Sequence, residues 1–162
     1  MEVCVMNLKT LVCGVTLLAF APSAFAAGKP TKEEMIKFVD EAAAFAKKVG
    51  KDAAVKEFND QKGKFWRHDG ELYIFAYTMD GTNLALPAKP ALVGKNLLQL
   101  KDAKGNPLIQ ALRDGTQKSG KFHYEWMWEN PASKKVEPKE GYAIKMPDPK
   151  GDWFLGSGIY KP

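Results

Sequence analysis

Apolar residues recur at two spacings along this chain, and the change between them separates helical from extended regions. Met35, Phe38, Val39, Ala42, Phe45, Ala46 and Val49 follow one another at steps of three and four, the period of one helical face. Thr31-Lys32-Glu33-Glu34 precedes them in the form of a capping box, in which the Thr hydroxyl accepts from a helical N–H and Glu34 reaches back to the cap. Gly50 ends the run. Asp52 is then placed to cap a second, shorter helix through Phe58, with Val55 and Phe58 on one side.

From residue 71 the period changes to two. Tyr73, Phe75, Tyr77 and Met79 share one face of a strand over 71–79, while Leu72, Ile74 and Ala76 share the other. Both faces are apolar, which predicts a central strand covered on both sides. Asp80-Gly81 makes a tight turn into a return strand over 82–86. Pro87, Pro90 and Gly94 then punctuate a loop, and Pro107 opens a helix to about Lys118 with Leu108, Ile109 and Leu112 inward. Lys121 to Trp128 alternates again, placing Phe122, Tyr124, Trp126 and Trp128 together and His123 on the opposite face. After a turn around Asn130-Pro131 and Lys134-Lys135, residues 141–146 and 153–160 read as two last strands. This order predicts an α+β fold: a five-stranded antiparallel sheet with the long N-terminal helix on one face and the loop and short-helix insert on the other.

The first residues follow a different pattern. Leu11 to Phe20 is an apolar run of roughly ten residues, too short to span a bilayer, with Lys9 before it and Ala24-Phe25-Ala26 after it. Residues 1–26 therefore read as a secretory signal peptide cut near Ala26, and 27–162 as one exported, periplasmic or secreted domain. Both cysteines, Cys4 and Cys13, fall in the leader, so the remaining chain has no thiol and draws its stability from a core. No second hydrophobic span is visible.

The formal charge of +5 is carried almost wholly by dispersed lysines, with Arg67 and Arg113 the two arginines. That dispersal argues against a nucleic-acid surface, which clusters Arg and Lys on one element. No nucleophile elbow, phosphate loop or dinucleotide fingerprint is present, so neither an enzyme nor a cofactor is expected. His68 and His123 are the two histidines, and without cysteine they are too few for a metal site.

Several segments together carry a resemblance. GELYIFAYTMDGTNLALPAKPALVGKNL, WMWENP, VEPKEGY and DWFLGSGIY, in this order, resemble the single Cache domains of the type 2 group. The resemblance implies a PAS-like antiparallel sheet with a long N-terminal helix. It also implies an extracytoplasmic sensor of small metabolites, often short carboxylates. This chain departs from the pattern in two ways: no signalling module follows Pro162, and Leu86 stands where many members have His. The expectation is an exported binding protein that presents a small organic anion to a membrane sensor or transporter.

Lys139 occupies the lysine of the family's PK-x-x-Y pattern, with Tyr142 three residues on. The expected ligand-binding set is Tyr73, Phe75, Trp126, Trp128, Lys139 and Tyr142, with the tyrosine hydroxyl and an indole N–H as donors. Arg67 is a more distant candidate. Each assignment has a plainer competitor. Alternating aromatics are as often ordinary core, and a lysine between Glu137 and Glu140 is more often at the surface. The competing reading of the whole chain is an exported interaction or scaffold protein whose core is filled. A hydrolytic or acid–base role for His68 or His123 comes third.

Overall fold

The computed structural model describes residues 29–130 and 133–161. The expected leader, residues 1–26, and the cut expected near Ala26 lie outside the described residues. Helix α1 spans Lys32–Val49 and α2 spans Lys51–Phe58; α3 spans Leu108–Ser119. The strands are β1 Trp66–Arg67, β2 Leu72–Tyr73, β3 Phe75–Thr78, β4 Asn83–Ala85, β5 Lys121–Glu129, β6 Val136–Met146 and β7 Trp153–Tyr160. Among the described residues no helix is long and apolar enough to cross a membrane.

The predicted stripe places Met35, Phe38, Val39, Ala42 and Ala46 of α1 in the core. The cap is half of what the sequence suggests. Thr31 Oγ1 accepts from the Glu34 N–H at 3.2 Å, but the Glu34 carboxylate lies 2.7 Å from His68 Nε2. Gly50, with φ of 85°, both ends α1 and starts α2. With a single residue between the helices Asp52 cannot cap; it falls in the first turn of α2, where a carboxylate still suits the helix dipole.

The main sheet is antiparallel with strand order β4-β3-β7-β6-β5. Its middle strand is β7, buried over all eight residues, so β3 sits one place from the edge rather than at the centre. The two faces of β3 are as predicted. Leu72, Ile74 and Ala76 face α1 and α2, where Phe65 packs edge to face on Phe58 and tilted on Phe38. Tyr73, Phe75 and Tyr77 face α3 and the insert. A separate two-stranded ribbon, β1 with β2, was not foreseen; its turn holds His68, Asp69 and Gly70 at positive φ. Strand β6 begins at Val136, five residues ahead of the expected start, because β5 pairs along its full length from Lys121↔Ile144 to Glu129↔Val136. Pro138 and the charges of Glu137, Lys139 and Glu140 disguise that half of the strand as a loop.

Candidate functional site

The α3 face of the sheet encloses a cavity. Its sheet wall is Tyr73, Phe75, Tyr77, Trp126, Trp128 and Lys139, and its roof is Leu86 with Leu108, Ile109 and Leu112 of α3. The space for the centre of a water-sized sphere is about 20 Å³, room for one or two water-sized groups as it stands.

Register brings these side chains together. Lys139 of β6 is directly opposite Trp126 of β5 and Tyr160 of β7, so all three project from one face. Glycines let the aromatics lie against the sheet. A Cβ at Gly141 would stand 2.3 Å from the Trp126 ring, and one at Gly156 would stand 2.7 Å from Phe75.

Lys139 is the chemical centre of the cavity. Its side chain is 2% exposed, and Nζ donates to Tyr73 Oη at 3.3 Å. The ring faces of Tyr73 and Tyr160 each lie 4.5 Å from Nζ, a cation–π cradle on two sides. Tyr160 is fixed in turn by donating its hydroxyl to the Glu129 carbonyl at 2.8 Å. Among the described residues no carboxylate is within ion-pair distance of Nζ. Burial pushes the amine down to about 7, opposed only by the more distant Glu71. Burial also pushes the hydroxyls of Tyr73, Tyr77 and Tyr160 well up, so all three stay neutral donors. A desolvated amine with neutral hydroxyls and an apolar wall is the chemistry of an anion receptor.

Five of the six expected residues meet in this cavity, and the sixth does not. Tyr142 lies on the α1 face, stacked on His123 at 4.6 Å between ring centres. The reason is the strand: residues three apart in a β-strand point to opposite sides. The hydroxyl beside Lys139 comes instead from Tyr73, and a further ring face comes from Tyr160, which sequence reasoning missed. Tyr160 is visible as a strand residue, but its position beside Lys139 follows only from the β6–β7 register. Arg67 is also outside the cavity, pairing with Glu41 at 3.0 Å and lying over Phe38. The surface reading of Lys139 is overturned by its burial.

The chain belongs to the Single Cache domain 2 family, whose model matches residues 25–161. It is similar to a methyl-accepting chemotaxis protein from Vibrio parahaemolyticus, with 33% identity, a TM-score of 0.66, and 80% of this chain and 87% of that one covered. A Cache chemosensory domain solved to explain carboxylic acid recognition shares the fold, at 20% identity and TM-score 0.65, over 80% of this chain and 92% of that one. The sensor histidine kinase MctS of Rhizobium johnstonii is 30% identical over 88 residues, 54% of this chain. The chain spans only 18% of that kinase. The family is one of extracytoplasmic small-molecule sensor domains.

Proposed function

We propose that the domain binds a short organic acid of two or three carbons in the cavity at Lys139. The observation that carries this is a buried lysine with no carboxylate in contact among the described residues, set in an aromatic and aliphatic wall. A buried ammonium demands an anion. The wall offers one cation and no carboxylate, which suits a ligand with a single acidic head and no ammonium of its own. Trp126 and Trp128 supply flat walls, and Tyr73 supplies a hydroxyl. The setting is periplasmic, after removal of residues 1–26, and the loaded domain reports to a membrane sensor or transporter.

Thermal-shift measurements with two- to six-carbon acids, amino acids and amines test the reading. Propionate at 100 times its dissociation constant should add about 2.7 kcal/mol of stability. Lys139→Met should weaken binding by about 1.5–3 kcal/mol. Unchanged affinity in a folded K139M protein removes Lys139 from the site. The small free space favours one competing reading, a filled core that serves as an interaction module. Stability indifferent to every compound would establish that alternative.

A further inference from the structure

A buried amine with no carboxylate in ion-pair reach among the described residues poses a question about the ligand-free site: whether it holds a proton at all. The groups facing Lys139 are few. The Tyr73 hydroxyl comes from β2, the Tyr160 ring from β7 and the indole of Trp126 from β5. Tyr77 of β3 lines the same cavity, and α3 presents only aliphatic side chains to it. Glu71 acts from beyond ion-pair distance, while Glu129 and Glu137 act on the Tyr160 hydroxyl. The tyrosines are neutral, so none of these groups in contact with the amine balances a positive charge.

We propose that ligand capture here is proton-linked: Lys139 takes up a proton as a carboxylate enters, so the cavity binds the anion together with one proton. This rests on the small-acid reading and adds its regulation. The step is balanced by an N–H bond alone. The amine lone pair accepts a proton from solvent, and the ammonium formed pairs with the entering carboxylate. In the empty site burial holds the amine near 7. A carboxylate in contact favours the charged form and raises that value. The occupied site therefore binds its proton more tightly than the empty one, and linkage makes affinity fall as pH rises above 7. Below 7 the amine is already charged and the dependence levels off. Such a sensor responds to an organic acid and to acidity jointly, rather than to the anion alone.

Isothermal titration of the purified protein with propionate reads the proton directly. At pH 8, HEPES and Tris have different heats of ionisation, and the observed heats should differ by close to one ionisation heat per site. At pH 6, in MES and bis-Tris, the difference should nearly vanish. Affinity should fall about tenfold between pH 8 and pH 9. Equal heats in the two buffers at pH 8, with propionate bound, overturn the proton linkage and leave the small-acid reading standing. Absence of binding by acetate and propionate at pH 6 overturns the small-acid reading and the linkage with it. A ligand-free check uses NMR of carbon-labelled lysines. The resonance missing from K139M should titrate near neutrality, and one that titrates above pH 10 with the surface lysines overturns the proposal.

Discussion

Burial and charge oppose each other at Lys139. Placing an ammonium out of water costs several kcal/mol, of which two aromatic faces at 4.5 Å return about 2 kcal/mol. In the unfolded chain the amine keeps its proton to about 10.5; in the folded chain it gives it up near 7. Between those values the unfolded state binds more protons, so stability of the empty protein rises with pH. Below pH 7 the full cost is present. Lys139→Met should therefore stabilise the empty protein in chemical denaturation, and by more at pH 6 than at pH 10. An equal effect at both would mean that the amine is hydrated in the fold. Gly141 is the other decisive single residue, because a methyl there meets the Trp126 ring. Gly141→Ala should cost about 1–3 kcal/mol in denaturation and push the indole into the cavity. Propionate affinity should drop with it, and a variant that keeps wild-type affinity would show that Trp126 is not held by this contact.

At the level of elements, Leu86 and α3 close the cavity, and one carboxylate ties down the insert between β4 and α3. Asp102 accepts from the backbone N–H groups of Lys104 at 2.9 Å, Asn106 at 2.8 Å and Met127 at 3.2 Å. Burial pushes its acid up, but the hydrogen bonds from Asn106, Met127 and Lys104 outweigh it and hold it below the usual range. The Met127 bond crosses from the insert to β5, so Asp102 locks the insert against the sheet. A second link, Lys89 to Glu129 at 2.8 Å, is exposed on both sides and contributes little. Asp102→Ala should destabilise by about 1–3 kcal/mol and speed amide exchange over residues 97–107 and at Met127. Lys89→Ala should change neither. Exchange that stays protected in D102A would show that the leucines of the insert, not the carboxylate, hold it in place.

At the scale of the whole fold, the main sheet separates two cores, one on each face. On the α1 side the phenylalanines of α1 and α2 pack against Leu72, Ile74 and Leu155. On the α3 side the aromatics of β2, β3, β5 and β7 stop short of filling the space, and the cavity is what remains. Much of this was legible in the chain. The step of three and four in residues 35–49 specified α1, the alternation in 72–79 specified two apolar faces, and Pro107 marked the start of α3, because each is a relation among residues a few positions apart. The start of β6 was hidden, since its first half is charged and is strand only by pairing with β5. Tyr142 was assigned to the site by its nearness in sequence to Lys139, and strand alternation turned it away. The sequence alone determined the helices, the apolar faces of the main strands and the resemblance to a sensor family. Only the tertiary structure decided that Lys139 is buried, that Tyr160 and Trp126 flank it, and that no carboxylate among the described residues does. Those are properties of register and packing between strands far apart in the chain, and no local pattern encodes them.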